Sequence, residues 1–401
     1  MNSHQRPARR RGSILIVAML VVFALAGLVL VMGRTMSTEA IASSNAASAA
    51  QASAVARGAE QYVLALLVDQ GAAVVLAMDE TEFQAVPVGA GWFWIVRPDV
   101  GDDALPLFGL VDEGGKVNFN RFGYDELMKL PGMTDDVAGA IVDWRDEDDQ
   151  PTSGGAESAT YAGLANPYQA KNAPFETVEE LLLVNGMTRD RLYGSSPREP
   201  LGTRSSARTS TNKPLGDAQL ARGWFDLLTV YSAEAPGNVP LPPGARGRMN
   251  VYTAPREALL CLPGVEATDV DKIIAARPAA GGSETDGRQL IANALGPDRV
   301  TTLAPFVMTG ASTRYSADIV AVSGNGRAFR RVRVVVDVSE PTTPRIIYRR
   351  DLSERGWPMD PQVLRSIRAG NAPTGSGLRA PGSRLGAAGP GCKTVSTGMT
   401  A

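Results

Sequence analysis

Residues 14–33 read ILIVAMLVVFALAGLVLVMG, a run of 20 residues that contains no charged side chain. As an α-helix this run is about 30 Å long, which matches the hydrocarbon core of a bilayer. The first twelve residues contain no acidic side chain and four arginines: Arg6, Arg9, Arg10 and Arg11. The positive-inside rule therefore predicts a single membrane span with a cytoplasmic N-terminus and with everything after Arg34 exported.

The helix is predicted to continue beyond the membrane. Residues 35–68 contain no proline and are rich in Ala, Ser, Glu and Gln. Between Val55 and Leu66, apolar residues recur at three- and four-residue spacing, which is typical of one buried helix face. A helix over 13–68 would be ~80 Å long. A secretory signal, the competing interpretation, has a shorter apolar core followed by a small-x-small cleavage site. A plain signal anchor is the other alternative.

The composition narrows the classes of function. The chain has 401 residues and a formal net charge of -2, which argues against a strongly basic nucleic-acid-binding protein. The single histidine, His4, lies among the first twelve residues. Histidine-based catalysis or a histidine zinc site would need His4 or another chain, so we expect no enzyme. The two cysteines, Cys261 and Cys392, can form at most one disulfide bond.

An internal repeat occupies the middle of the chain. Residues 116–132 and 248–264 align at an offset of 132, with a basic residue, Asn, Leu, Leu, Pro and Gly coinciding. Each copy is predicted to form an extended segment, a short helix and a Leu-Pro-Gly turn, followed by a second helix at 135–145 or 268–277. A third turn, at 183–187, follows a helix predicted over 176–183. These are helix-hairpin-helix patterns.

Helix-hairpin-helix units often bind DNA, so an exported DNA-binding protein of an uptake system is the main alternative function. In that use a second glycine in the turn lets the backbone approach a phosphate. Thr134, Thr188 and Glu266 stand in its place, and the sequence after the first turn is acidic. Since phosphate binding needs a basic surface, the hairpins are interpreted as a packing scaffold, and no nucleic acid is expected as a partner.

Five segments are predicted to be strands because they are rich in β-branched and aromatic residues: 91–97, 107–111, 315–323, 328–338 and 344–350. From Arg331 to Val336 the alternation gives one apolar and one basic face. We interpret the basic face as an exposed strand face, with a partner or lipid headgroups as the alternative. The sequence thus predicts an α+β fold, in which a long N-terminal helix packs on a small antiparallel sheet that a large helical domain interrupts.

The junction Arg11-Gly12-Ser13 in front of the apolar helix resembles the leader of type IV pilins and pseudopilins. The resemblance implies that a prepilin peptidase cuts between Gly12 and Ser13 and that Ser13 becomes the N-methylated first residue. Most members have Glu at the fifth mature position, where this chain has Val17. In the family that Glu neutralises the amine of a neighbouring subunit, and the type that lacks it is the tip subunit. An unpaired carboxylate in the bilayer would cost several kcal/mol.

Residues 143–187 are similar to the helical insertion of the minor pseudopilins that form the tip of the type II secretion pseudopilus. The shared motifs are Asp143-Trp144, an acidic loop at 146–150, Gly155-Ala156-Glu157, Tyr161, Pro167-Tyr168, Asn172-Ala173-Pro174 and Val184-Asn185-Gly186-Met187. The resemblance implies a non-enzymatic tip subunit that takes part in protein export across the outer membrane. Its partners would be the other minor pseudopilins (I, J and H), the major pseudopilin and the prepilin peptidase. A minor pilin of a type IV pilus is the alternative with the same fold.

The acidic loop is a candidate calcium site. Asp146, Asp148, the Gln150 carbonyl and Glu157 would converge if the turn at 152–155 folds back, and calcium accepts six to eight such oxygens. From the residues alone a solvated run of charges is the better interpretation. The resemblance reverses this preference, because similar tip pseudopilins bind calcium in their helical domain, and it implies a structural ion.

These interpretations divide the chain into a leader over 1–12, a pilin helix over 13–68, a discontinuous head over 69–113 and 306–352, and an inserted helical domain over 114–305. Within the insertion, residues 195–217 are predicted to be a mobile loop because they are rich in Ser, Thr, Arg and Pro. Residues 353–401 are predicted to be a disordered tail. The expected location is the inner membrane, with the C-terminal bulk in the periplasm and at the pseudopilus tip after assembly.

Overall fold

A single long helix begins the fold. The computed structural model describes residues 13–70, 80–98, 108–194, 223–234, 248–278 and 286–373. Helix α1 spans Ser13–Gln70, 58 residues. Its large apolar side chains from Leu15 to Met36 are 48–70% exposed, whereas one face from Ala52 to Leu67 is buried. The same helix is therefore a free apolar stem in its first half and a core element in its second half.

An antiparallel sheet of six strands packs against α1. The described strand order is β1–β2–β6–β7–β8, and β3 pairs with β6 beyond the end of β2. The strands are β1 Val86–Val88, β2 Gly91–Val96, β3 Val111–Asp112, β6 Arg314–Val322, β7 Phe329–Asp337 and β8 Arg345–Asp351. The side chains that bury the face of α1 are Phe93, Ile319 and Val334, with others from the same strands. Each large apolar side chain that is fully buried there stabilises the head by about 1.5–3 kcal/mol.

The helical insertion lies between β3 and β6. A second hydrophobic core, separate from the one under α1, holds it together. Its strands are β4 Val117–Asn118 and β5 Leu228–Thr229, which pair in parallel. Its α-helices are α2 Tyr124–Leu127, α3 Asp135–Arg145, α4 Ser158–Ala162, α5 Arg189–Tyr193, α6 Arg256–Leu260, α7 Ala267–Ala275, α8 Gly287–Leu295 and α9 Pro297–Leu303. Short 3-10 helices at Glu113–Gly115 and Val178–Leu183 complete it. The predicted α+β fold with an inserted helical domain is confirmed.

The two copies of the sequence repeat have the same local structure. Arg145, at the end of the helix that follows the first copy, donates hydrogen bonds to the carbonyl oxygens of Phe119 and Phe122. Arg277 lies 132 positions later and donates to the carbonyl oxygens of Val251 and residue 254. Both arginines thus join the second helix of a copy to the turn that precedes its first helix, so the repeat is one structural unit used twice.

Each of the three predicted Gly-containing turns holds its glycine in the left-handed region. The φ values of Gly132, Gly186 and Gly264 are 71°, 76° and 63°. The N–H of the apolar residue after each glycine donates to a carbonyl three positions earlier, at Leu130, Val184 or Leu262. Only glycine adopts this conformation without strain, which explains the glycine in every turn.

The basic face of β7 is buried, so the prediction of an exposed strand face is wrong. Arg331 and Arg333 are 2% and 5% exposed. Arg331 donates to Asp318 at 2.7 Å, and Arg333 donates to Asp226 at 2.7 Å and to Asp318 at 3.1 Å. Asp226 belongs to the insertion, which covers this side of the sheet and supplies a carboxylate that the strand pattern could not reveal.

The start of the predicted disordered tail is folded, which corrects the prediction for 353–373. A 3-10 helix at Ser353–Arg355 is followed by helix α10, Pro361–Arg368. The Trp357 ring packs edge-on against Trp94 and Phe329, with ring centroids 5.9 and 5.6 Å apart. Hydrophobic side chains of α10 thus pack on side chains of β2 and β6 that form a cluster separate from the core under α1. The leader over 1–12, the loop over 195–217, Cys392 and the remaining tail lie outside the described residues.

Candidate metal centre

Three carboxylates from the acidic region converge at the end of α3. Asp143, Asp146 and Glu157 each offer an oxygen, and these oxygens all lie within 4.8 Å of one another. Asp143 is on the last turn of α3 and is fully buried, Asp146 caps the helix C-terminus, and Glu157 is the N-cap residue of α4. The chain therefore leaves α3, makes a loop through the acidic residues and returns to the same place.

Hydrogen bonds from Thr152 and a close contact with Gly155 hold the end of the acidic loop against Asp143. The Thr152 hydroxyl donates to Asp143 Oδ1 at 2.7 Å, and the Thr152 N–H donates to the same oxygen at 3.1 Å. A Cβ atom on Gly155 would lie 1.9 Å from Asp143 Oδ2, so any larger residue would displace the carboxylate. Gly154 has a φ of +77°. The Gly154-Gly155 pair is thus needed both for the turn and for contact with Asp143.

Three carboxylate oxygens of the cluster lack hydrogen-bond donors among the described residues. Asp146 Oδ1 and both carboxylate oxygens of Glu157 are buried without a partner among the described residues. Burying a polar group without a partner costs on the order of 1–3 kcal/mol, and more for a charged group. Calcium binds hard oxygen ligands in irregular loops at about 2.3–2.6 Å, so this donor set fits a calcium ion.

The electrostatics of the cluster also favour a cation. Burial, together with the charges of Asp143 and Asp146, raises the pKa of Glu157 to about 7. Burial and the nearby Asp148 raise the pKa of Asp146. Arg145 is adjacent in sequence, but its guanidinium is engaged with two backbone carbonyls of the first repeat copy. The cluster is therefore negative and lacks a full counter-charge from the protein.

The cluster contains two of the four predicted ligands, and the carbonyl of Gln150 stays a prediction. Asp146 and Glu157 are members. Asp148 stays outside, and its carboxylate accepts the N–H of exposed Gln150 at 2.8 Å. Asp143 was missed by the ligand prediction, although its i, i+3 spacing to Asp146 on the helix was a usable signal. The cluster thus combines one carboxylate from the helix with two from the loop, and the full ligand set stays a prediction.

The other motif residues build the wall around the loop. Trp144 packs edge-on against Tyr161, with ring centroids 5.2 Å apart, and Tyr168 stacks on Tyr161 at 5.2 Å. The Asn172 side chain donates to the Asp148 carbonyl oxygen at 3.2 Å, and Asn172 has a φ of 47°. Its Oδ1 atom is also buried without a partner among the described residues. The sequence motifs that this chain shares with minor pseudopilins thus lie around one place, the candidate metal centre.

Comparison with known proteins gives a family for this region. Residues 107–196 match the family model described as "Type II secretion system (T2SS), protein K". No curated protein matches the chain. Among solved structures, the chain is similar to "The Crystal Structure of the GspK-GspI-GspJ complex from enterotoxigenic Escherichia coli Type 2 Secretion System", with 15% identity and a TM-score of 0.48. The similarity covers 74% of this chain and 95% of that one.

A TM-score of 0.48 at 15% identity does not establish a shared fold. The relation to a family therefore rests on the match of residues 107–196. The matched segment contains all three carboxylates of the candidate metal centre and the first copy of the repeat. Neither of the alternatives, a DNA-uptake protein and a type IV pilus minor pilin, is supported by this match. Residues 107–196, with the candidate metal centre and the first repeat copy, are therefore similar to protein K of the type II secretion system.

Proposed function

We propose that this protein is the non-enzymatic tip subunit of the type II secretion pseudopilus, where it takes part in protein export across the outer membrane. The observation that carries the proposal is where the bulk of the chain lies. The β6–β7 turn contacts α1 at Ser44 and Ser48, close to the membrane span, whereas the insertion joins β6 at its opposite end, Arg314. The insertion therefore joins the sheet at the end away from the membrane, and from there it packs along the face that carries Arg331 and Arg333.

A large mass at that end restricts the number of copies in a filament. Stems that pack lengthwise stack one head above another, and the insertion would occupy the space of the next head. The stem itself remains available for packing, because its apolar side chains are exposed. A subunit with a free stem and a blocked top fits the tip and does not fit the shaft.

Val17 supports the same location. If the leader is cut between Gly12 and Ser13, Val17 is the fifth mature residue. A tip subunit has no neighbour above it whose amine needs a counter-charge, and an unpaired carboxylate in the bilayer is unfavourable. We propose this cleavage, with N-methylation of Ser13 by prepilin peptidase, and single-pass insertion with the N-terminus in the cytoplasm. The basic first twelve residues support this orientation.

The proposed partners are the other minor pseudopilins and the major pseudopilin. The similar solved structure is a complex of GspK with GspI and GspJ. We propose that the counterparts of I, J and H assemble with this chain through the stem and the head. The absence of any histidine after His4 supports the proposal that it has no catalytic role.

We further propose that Asp143, Asp146 and Glu157 hold a structural calcium ion. The support is the set of unpartnered carboxylate oxygens described above. The ion would neutralise carboxylates that otherwise repel one another and would fix the loop between α3 and α4. The chain's own residues orient the site, since Thr152 holds Asp143 in place.

The test of the tip proposal is where the full-length protein lies in assembled pseudopili. Gold labelling of an epitope on this chain should mark one end of each filament, while a label on the major pseudopilin should mark its whole length. N-terminal sequencing of the membrane-extracted protein should begin at methylated Ser13. Label spaced repeatedly along the shaft would contradict the tip position, and a sequence beginning at Met1 would contradict the processing.

A further inference from the structure

The face of the head nearest the membrane is formed by the β6–β7 turn and the end of α10. Arg327 Nη1 donates to Ser44 Oγ at 3.2 Å, which fixes the turn to a defined level of α1. Arg368 Nε donates to the Gly326 carbonyl oxygen at 2.9 Å, which joins the end of α10 to the same turn. The turn and the end of α10 therefore form one surface. Because this surface is fixed to α1 at Ser44, its distance from the apolar run follows from the rise per residue of the helix.

That surface lies close to the lipid headgroups. Ser44 follows the last residue of the apolar run, Gly33, by 11 positions, or about 16 Å along the helix. Headgroups extend roughly 5–7 Å beyond the hydrocarbon core on each side. The remaining gap of about 10 Å is close to one Debye length, ~8 Å at physiological ionic strength. A common helix tilt of ~20° lowers one side of the head further.

Three arginines give this surface its charge. Arg327, Arg365 and Arg368 are all exposed. Among the described residues none of the three forms an ion pair with a carboxylate. We name them the hairpin arginines. They lie on the face of the head that is nearest the membrane.

The neighbouring charged groups do not cancel the hairpin arginines. On α1, Arg34 and Glu39 have opposite charges and both are exposed. Arg330 on β7 is paired with Asp351 on β8 at 3.7 Å. Asp360 lies at the far end of α10, where it accepts the Gln362 N–H at 2.7 Å. The surface therefore keeps a net positive charge.

We propose that the hairpin arginines bind anionic phospholipid headgroups while the protein stands in the membrane before assembly. Basic residues next to a membrane span are attracted to anionic lipid, and the attraction decays over about one Debye length, so the reach of the arginine side chains and the tilt of the helix decide its strength. The contact would hold the head at a fixed tilt over the bilayer and would be released when the subunit is extracted into the filament. The proposal rests on the proposed insertion of α1 into the membrane.

The test uses the full-length protein reconstituted in vesicles. A fluorophore is placed on Ala369→Cys, an exposed position beside the turn, in a Cys392→Ser background, and energy transfer to headgroup-labelled lipid is measured. Transfer should be higher in phosphatidylcholine mixed with phosphatidylglycerol than in phosphatidylcholine alone, and high salt should remove the difference. Resistance to alkaline extraction reports insertion separately, so failed insertion is distinguished from failed headgroup contact.

The matched variants separate this contact from general attraction. Arg327→Gln, Arg365→Gln and Arg368→Gln together should abolish the dependence on anionic lipid. Three exposed basic residues away from the turn serve as the control and should leave it unchanged when replaced by Gln: Arg189, Lys272 and Arg345. A chain that ends at Pro373 should keep the effect.

Three results would overturn the proposal. The first is equal transfer in the two lipids with α1 inserted. The second is loss of the effect on truncation at Pro373, which would assign the contact to the three basic residues that follow. The third is a rise in transfer that needs added minor pseudopilins rather than anionic lipid.

Discussion

The two copies of the repeat share a scaffold, but only the first is followed by the candidate metal centre. In both copies an arginine, Arg145 or Arg277, holds the second helix to the turn before the first helix. The position equivalent to Asp143 in the second copy is Ala275, and the position equivalent to Asp146 is Pro278. The first copy thus ends in two buried or half-buried carboxylates and a long acidic loop, whereas the second ends without either.

This difference separates what the hairpin does from what the loop does. The scaffold needs an arginine, an asparagine and a glycine turn, and both copies keep them. The candidate metal centre needs carboxylates at the end of the second helix, and only the first copy has them. The helix-hairpin-helix unit is therefore a packing scaffold, and the candidate metal centre depends on the residues that follow the first copy.

The largest expected effect comes from breaking the buried ion pair of each copy. Lys116 pairs with Glu113, and Arg248 pairs with Glu234, with all four side chains at most 7% exposed. Lys116→Met or Arg248→Met should each reduce the free energy of unfolding by roughly 3–5 kcal/mol, because a buried carboxylate loses its partner. Denaturant titration of the detergent-solubilised chain, followed by tryptophan fluorescence, measures both.

The control for this comparison removes both charges of one pair. Lys116→Met combined with Glu113→Gln should recover part of the lost stability, since no unpaired charge remains. If the single and double variants were equally unstable, the loss would come from packing of the lysine stem and not from the carboxylate.

The ion network between the sheet and the insertion should make stability depend on pH. Burial alone would raise the pKa of Asp318, but Arg331 and Arg333 outweigh burial and hold that pKa well below its usual value. The unfolded carboxylate binds protons below about pH 4, so the stability contributed by Asp318 is present above that pH and is lost as the pH falls further. Thermal unfolding of wild type and Asp318→Asn should differ strongly at neutral pH and less in acid. A constant difference across this range would contradict the assignment.

The sequence predicted the two faces of β7 but not what covers the basic one. Alternation places Arg331 and Arg333 on the face opposite to the valines, and that part was right. Asp226, a carboxylate partner of Arg333, lies more than a hundred residues away and is brought there by the insertion. Patterns of period two report which side chains share a face, and they carry no information about long-range partners.

Replacing the arginine of each copy should have the next largest effect. Arg145→Ala and Arg277→Ala should each lower the free energy of unfolding by roughly 2–3 kcal/mol, because a charged donor is lost and backbone carbonyls are left without it. Equal losses of stability in the same denaturant titration would show that the arginine–carbonyl hydrogen bonds contribute equally in the two copies. A neutral Arg145→Ala variant would show instead that the acidic loop holds the first copy together.

Calcium should stabilise the first copy alone. At a calcium concentration of about 100 times the dissociation constant, stability should rise by about 2.7 kcal/mol, and a chelator should reverse it. Asp143→Asn should abolish the response measured by thermal shift. Asp148→Asn, in the same loop but outside the cluster, should keep it, as should Asp271→Asn in the second copy. A response lost in Asp148→Asn and kept in Asp143→Asn would favour the ligand set predicted from sequence.

The candidate site was predictable in part because the loop and its motifs are contiguous. Asp146 and Glu157 lie eleven residues apart, so a single turn was enough to bring them together. Asp143 was harder, since a carboxylate on a helix beside Trp144 is ordinarily exposed. Its burial depends on Gly155, which leaves the space that the carboxylate fills. Such a close approach depends on the folded loop and is not encoded by spacing.

The smallest expected effect is in the turns, and it tests whether they are equivalent. Gly264→Ala should cost roughly 1–2 kcal/mol, the strain of a left-handed conformation for a residue with a Cβ. The nearest atom to that Cβ would be Arg299 Nη2 at 3.9 Å, so space is not limiting. At Gly186 the Cβ would lie 3.0 Å from Val137 Cγ2 and 3.1 Å from an Asp136 oxygen, so Gly186→Ala should cost more. Denaturant midpoints in the opposite order would mean that Val137 and Asp136 on α3 move away from the added Cβ at Gly186, so that steric contact does not set the cost there.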